Sequence, residues 1–292
     1  MTALFIGHNY TDITFLTDHI PTGDEKTIGE DFSFGVGGNA VVAAFTAATM
    51  GTRTDLLTQV APDRLGDVFL QRAAKMGIRI YPIPVKRSSA SLILPNGTKR
   101  AIVRCRDTDY LLEMPSVDLN GYSVIHYDGH LGEVPLKLAK EAFEKQILTS
   151  LDGGNVREHT EEILPFTNIA VVSEDFAKTL GKNAGETLKY LANKGVGLPA
   201  ITLGAEGVLF IDGGIEHHLP ALPIPEEQVI DSTGAGDVFH GAYITSYLQG
   251  FGNTWEDHFK FARAASALSV QKLGAEAGIP TLEDVKKLLE KS

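Results

Sequence analysis

Asp231-Ser232-Thr233-Gly234-Ala235-Gly236-Asp237 places two carboxylates at the ends of a loop of small residues, and a helix-like run over 238–249 follows at once. Small residues let a ligand approach the backbone closely. The first N–H groups of a helix have no internal partner and, with the helix dipole, form a site for phosphate. Asp237 falls in the first turn of that helix, beside where the anion would lie. A carboxylate there can accept a proton from an attacking hydroxyl. The chemistry this spacing describes is phosphoryl transfer to an alcohol.

A second glycine cluster, Gly35-Val36-Gly37-Gly38-Asn39-Ala40, matches G-x-G-x-x-A, with Asp55 twenty residues beyond Gly35. That is a dinucleotide-binding fingerprint with an acid for the ribose. Its expected context, glycines directly after the first strand, is missing, because about thirty residues separate Ile6 from Gly37. His126, Asp128 and His130 end a predicted strand, where α/β sheets place ligands. Their spacing identifies no third metal ligand elsewhere, so sugar contact or a structural role is the better reading than zinc.

The loop at 231–237 resembles the Asp-Thr-x-Gly-Ala-Gly-Asp signature of the PfkB, or ribokinase-like, carbohydrate kinases, and the likeness extends to Gly37-Gly38-Asn39 and most of the chain. The resemblance implies an ATP-dependent small-molecule kinase with Asp237 as base and the amides of Gly234, Ala235 and Gly236 stabilising the transferred phosphoryl group. It gives Gly37 and Gly38 the task of letting a sugar lie on the backbone, and Asn39 that of meeting hydroxyls with donors and an acceptor. Asp12 and Asp24 match positions that hold sugar hydroxyls. Thr202, Gly204 and Gly207 match the turn beside the nucleotide phosphates, and Ala265, with Ala267 and Leu268, would offer a small-residue face for adenine or equally pack against the neighbouring helix.

Metal ions follow from the same resemblance. Mg²⁺ would accompany ATP. Ser173 and Phe176 replace the Asn and Glu of the family's Asn-x-x-Glu run, a departure similar to the ketohexokinase-type branch, as is Tyr127-Asp128-Gly129-His130. That leaves Glu174 to act on Mg²⁺ through water and Ser173 beside the nucleotide, or only as a helix cap. A monovalent cation, K⁺, would be enclosed by Asp231 and Thr233 with the segment holding Ser269, Lys272, Gly274 and Gly278, with Glu276 as an added charge.

Stepping along the chain, apolar strand-like runs alternate with helical ones: 3–6, then a helix over 39–50 ending at Gly51, a strand over 54–60, a helix over 65–76 stopped by Gly77, and a strand over 78–83. The pattern resumes at 124–127 and continues through helices over 135–145, 174–180 and 184–194, with strands over 147–151, 168–172 and 199–203. A hairpin spans 207–219, and helices are predicted over 255–272 and 282–290. Such alternation predicts a mostly parallel sheet with helices on both faces. Two polar extended excursions, about 12–34 and 86–107, do not fit that layer; the second reads as a hairpin with an Asn-Gly turn at Asn96-Gly97. They predict a small β lid on a single ribokinase-like domain of residues 1–292, and the resemblance implies a homodimer through that lid.

Arg100, Arg104 and Arg106 share one face of a lid strand, completed by Ile102, because side chains alternate with period two. Turned inward, they would overlook the acceptor site and favour a carboxylate or phosphate, or hold the ATP phosphates. Turned outward, they would be solvated, with Val103 and Cys105 packed inside. Alternation leaves both arrangements open.

The 292 residues are 43% hydrophobic and 22% charged, an ordinary globular composition. A net charge of -11 without Lys/Arg clusters argues against nucleic acid as a partner. The lone Cys105 forbids an intrachain disulfide and fits a reducing compartment. The first residues do not read as a signal peptide, and no apolar run is long enough to span a membrane, which together predict a cytoplasmic protein. The acceptor class stays open between a sugar and a nucleoside. A nicotinamide-dependent oxidoreductase and a non-catalytic sugar sensor are the alternatives of other classes.

Overall fold

The computed structural model describes residues 1–96, 99–112 and 114–291. The first half contains β1 (Thr2–Ile6), β2 (Tyr10–Leu16), β3 (Asp31–Gly37), α1 (Asn39–Thr49), β4 (Arg53–Val60), α2 (Arg64–Lys75), β5 (Arg79–Pro84), β6 (Ala90–Asn96) and β7 (Lys99–Cys105). There follow β8 (Tyr122–Tyr127), α3 (Val134–Glu144), β9 (Leu148–Gly153), α4 (Thr160–Ile163), β10 (Ile169–Ser173), α5 (Glu174–Thr179), α6 (Ala184–Asn193) and β11 (Leu198–Thr202). The chain closes with β12 (Val208–Asp212), β13 (Ile215–Leu219), α7 (Ala235–Gln249), α8 (Trp255–Ser269), α9 (Ala275–Gly278) and α10 (Leu282–Leu289).

Nine strands form one sheet in the order β13-β12-β11-β10-β9-β8-β1-β4-β5. All neighbours pair in parallel except β11–β12 and β12–β13. Successive side chains of a strand point to opposite faces. Ala3 and Phe5 therefore enter a core under α1, α2, α7, α8 and α10, whereas Leu4 and Ile6 enter a second core under α3, α4, α5 and α6. The expected ribokinase-like architecture, helices on both faces of a mostly parallel sheet, is present.

Local chemistry sets the helix ends. Asp63 caps α2 by accepting the Gly66 N–H, and Asn183 with Glu186 forms a capping box on α6. Gly51 and Gly77, both left-handed, follow α1 and α2. The helix predicted over 255–272 ends at Ser269 instead, since Ile230 and Asp231 both donate to the Val270 carbonyl and draw the chain away. The helix after the signature begins at Ala235, so Asp237 lies within its first turn.

The polar excursions form a separate four-stranded sheet, β3-β2-β6-β7. β2 is antiparallel to β3 and parallel to β6, and β6 is antiparallel to β7. Residues 97 and 98 of the predicted Asn-Gly turn lie outside the described residues. One face of this lid carries Asp12, Ser91, Arg104 and neighbours. The other carries Phe15, Phe32, Phe34, Leu92 and Val103, all exposed. Among the described residues no helix is long and apolar enough to cross a membrane.

Candidate active site

The signature loop is held by one carboxylate. Asp231 Oδ1 accepts the Thr233 N–H at 2.8 Å and Oδ2 accepts the Gly274 N–H at 2.9 Å. Gly234 then turns the chain into α7 with φ 80°, and a Cβ there would meet Ala275 Cβ at 2.6 Å. Gly234 is thus the glycine the loop cannot replace. Gly236 has open space where a Cβ would project. Of the three predicted cradle amides, Ala235 donates to the Ser232 carbonyl at 3.3 Å, whereas no acceptor among the described residues takes the N–H of Gly234, Gly236 or Asp237. These free donors face the N-terminal end of a fifteen-residue helix.

Asp237 is half-buried in a ring of carboxylates. Desolvation raises its pKa well above the ordinary carboxylate range, the charges of Asp152, Asp128 and Asp12 raise it further, and Arg100 opposes them. Asp12, on β2, is buried, and one of its oxygens has no hydrogen-bond partner. Burial raises its pKa too, opposed by Ser91 and Arg104. Asn39, at the start of α1, donates to Asp152 Oδ2 at 3.0 Å. Asp12, Asn39 and Asp237 are therefore gathered around one centre between sheet and lid.

Several other predicted residues stand differently. The space a Cβ would need at Gly37 is filled by the Asp12 carboxylate, and at Gly38, φ 98°, by the His8 carbonyl. These glycines admit the site's own groups to the backbone. Asp24 is exposed in the link between β2 and β3 and is not tied to Asp12 or Asn39. Ser173 caps α5, accepting the Phe176 N–H at 3.2 Å and donating to the Gly154 carbonyl at 2.9 Å. Glu174 is exposed beside it. Thr202 closes β11 and bonds the Val172 carbonyl at 3.4 Å. Gly204 and Gly207 both have positive φ, and Gly207 is bare because the end of β13 crowds it. Ala265 is fully buried in the core between helices, so the structure removes it from an adenine face; Leu268, in the same helix, is half-buried.

The cation segments do lie together through Asp231 and Gly274. Thr233 Oγ1 is buried without a hydrogen-bond partner, which fits an oxygen ligand. Ser269 Oγ instead donates to the Ser266 carbonyl at 2.8 Å, and the Gly274 carbonyl accepts from Gly278. Glu276 turns away from this loop to the Val36 N–H and the Arg72 guanidinium.

The dinucleotide reading fails. Gly35–Gly37 end a lid strand, and Asp55, near the start of β4, has its carboxylate taken up by Arg79 and Tyr122. Arg104 and Arg106 lie 5.1 and 5.9 Å from the Tyr10 ring centre, and Arg106 Nε donates to the Tyr10 hydroxyl at 2.6 Å. Val103 and Cys105 are exposed on the opposite face. The arginine face looks towards the site.

Asp152, His240 and Arg157 were not singled out by sequence. Asp152 ends β9 as Asp128 ends β8, and the position of a carboxylate at the C-terminal end of a parallel strand was the available signal. His126, Asp152 and His240 each bring one ligand atom within 4.8 Å of the others, all buried, which supplies the partners for His126 that spacing could not name. His126 Nδ1 bonds Ser150 at 2.8 Å, its Nε2 has no partner, and burial holds both imidazoles neutral. A divalent metal with nitrogen and oxygen ligands is what this trio could hold.

Residues 2–282 match the family model described as pfkB family carbohydrate kinase. The chain is 28% identical over 296 residues to a ribokinase of Lactococcus lactis, covering 98% of this chain and 96% of that protein. Its fold is similar to that of a ribokinase from Thermotoga maritima, with a TM-score of 0.81 and 22% identity over 99% of each chain. It is also similar to an Arabidopsis thaliana ribokinase complexed with ribose and ATP, at TM-score 0.82 and 19% identity, covering 100% of this chain and 99% of that one.

Proposed function

This chain belongs to the pfkB family of carbohydrate kinases, and on that premise we propose that it transfers the γ-phosphoryl group of ATP to a hydroxyl of a sugar or sugar derivative, with Asp237 as general base. The observation that carries this reading is the placement of Asp237. Its carboxylate has a raised pKa, beside the free N–H groups of Gly234 and Gly236 at the start of α7. A base whose pKa moves towards neutrality takes a hydroxyl proton more readily. The free amides meet the charge that develops on the transferred phosphoryl oxygens. Asp12 and Asn39 offer acceptors and a donor to the remaining hydroxyls.

Mg²⁺ would supply neutralisation of phosphate charge, and it keeps most of its waters in such sites. Glu174 is the exposed acid placed to hold it through water, while Thr202, Gly204 and Gly207 line the nucleotide side. Thr233 Oγ1 and the backbone of the joined segments suit K⁺. The chain acts as one unit over residues 1–292 with the lid over the acceptor. Its outer apolar face, with Phe32 63% and Val103 65% exposed, suits a homodimer through the lid.

A coupled ADP-release screen over ketoses, aldoses, sugar acids, sugar phosphates and nucleosides tests the reading. Turnover with one acceptor class, abolished in Asp237→Asn, supports it; turnover only with nucleosides moves the enzyme to the nucleoside kinases, and none at all removes it.

A further inference from the structure

The lid guanidiniums form a row whose members act on successive groups of the site. Arg100 acts on Asp237, Arg104 on Asp12, and Arg106 on His8 and Arg157. Arg157 reaches the same place from the floor, in the link between β9 and α4. Gly129, φ 72°, leaves room for its stem, since a Cβ there would lie 3.1 Å from Arg157 Cδ. Its Nε donates to the Asp128 carbonyl at 3.2 Å, and no other hydrogen bond of its guanidinium is made among the described residues.

The counter-charges here act from beyond ion-pair distance: Asp12 on Arg104, and Asp128 and Asp152 on Arg157. Among the described residues the ion-paired arginines are Arg72 and Arg79, bound to Glu276 and Asp55. Arg104, Arg106 and Arg157 form no ion pair among the described residues. The nearby Asp128 carboxylate is already engaged, with Oδ1 accepting the His130 N–H at 3.0 Å and Oδ2 the Ala40 N–H at 3.3 Å. His8 packs between Tyr10 and His130, with ring centres 4.6 and 5.7 Å away, and His130 Nε2 is buried without a partner. Burial, with His130 and the arginines, pushes the His8 pKa down to about 3, partly offset by Asp128. Arg104 and Arg106 are exposed and Arg157 is half-buried; for Arg157, a guanidinium taken partly out of water without an ion pair is costly unless a ligand supplies the anion.

We propose that the acceptor carries a carboxylate or phosphate, and that Arg104, Arg106 and Arg157 hold that group at the His8 end of the site while Asp237 faces the reacting hydroxyl. The inference rests on the kinase reading above and names its substrate class. Arg suits both oxyanions because its planar fork matches their paired oxygens. Asp12 lies between the two ends, where it meets the hydroxyls of the linking carbons.

The test compares charged acceptors with neutral partners, gluconate against glucose and fructose 6-phosphate against fructose, in wild type, Arg157→Met and Arg106→Met. A hydrogen bond to a charged group is strong enough that each variant should lose about tenfold to a hundredfold in kcat/KM on the charged acceptor, chiefly through KM. Turnover of the neutral partner and the KM for ATP should hold. Arg157→Lys should restore part of the loss, keeping charge without the fork. The gluconate and fructose 6-phosphate arms separate carboxylate from phosphate. Equal use of neutral partners, unchanged in Arg157→Met, overturns the inference and leaves the kinase reading intact. No turnover on any acceptor removes the kinase reading. In that case the anion site alone stands if inorganic phosphate raises the Tm of wild type but not of Arg157→Met, and it falls too if both respond alike.

Discussion

Asp152, at the end of β9, and Asp237, in the first turn of α7, lie close enough for the charge of one to raise the proton affinity of the other. Desolvation is the larger cause, and Arg100 is the opposing charge. The lid itself pulls both ways on this carboxylate, since Asp12 on β2 raises its proton affinity while Arg100 on β7 lowers it.

Asp237→Asn keeps the shape and removes the proposed base. Its thermal melt and ATP affinity should match wild type, while turnover falls at least about a hundredfold, the scale of a positioned general base. Near-normal turnover would take Asp237 out of the mechanism.

As the proposed general base, Asp237 would act in its ionised form. Because its pKa is raised, kcat/KM should fall on acidification within a window above the ordinary carboxylate value of about 3.9. Arg100 lowers that pKa, so Arg100→Met should move the acid limb to higher pH. A pH profile of both proteins decides it, and an unshifted limb would separate Arg100 from the base.

Gly234 and Gly236 should fail differently. Gly234→Ala forces a side chain into a left-handed residue against Ala275 and should lower the Tm as well as turnover. In Gly236→Val the side chain enters open space, so the fold should survive, while turnover collapses if that space receives the phosphate. Normal phosphorylation by Gly236→Val would mean that the loop is not the phosphate cradle.

The outer lid face can be tested by charge. Phe32→Glu with Val103→Glu should convert a dimer into a monomer, read by light scattering after size exclusion. A wild type that is already monomeric at micromolar concentration would refute the lid contact.

Acid should loosen the fold through imidazoles. Burial lowers His8 to about 3 and lowers His126 and His240 as well, whereas an unfolded His titrates near about 6.5. The unfolded chain then binds more protons, so this stability is full above that value and is lost as pH falls through it. Asp128, whose carboxyl His130 and Arg157 hold well below its usual range against the effect of burial, contributes only at more acid pH. The Tm should therefore decline between about pH 6.5 and 5, less steeply in His8→Gln. A flat Tm there would contradict buried neutral imidazoles.

The layered fold was legible because parallel strands buried on both faces read as apolar runs, and because Gly51 and Gly77 mark helix ends. α4 and α9, four residues each, are too short for periodicity to register. Asp237 and Asp231 were legible through a contiguous motif. Arg157 was not, since no local pattern links it to Gly129 and Asp128; only the fold brings β8 and the link after β9 together. The place of Ala265 stayed open in the sequence, because a small residue suits a ligand face and a helix contact equally; its full burial decides for the helix contact.

The parallel pairing of β2 with β6, which sets Thr11 against Ala90, has a consequence for the order of assembly. Everything from β3 to β5 lies between those partners in the chain. Closing so long a loop costs entropy before the pairing returns any stability. The neighbouring β1–β4–β5 ladder must bring the two ends close first. The nascent enzyme should therefore acquire its sheet before its lid, and amide hydrogen exchange during refolding should protect β1 and β4 ahead of β6.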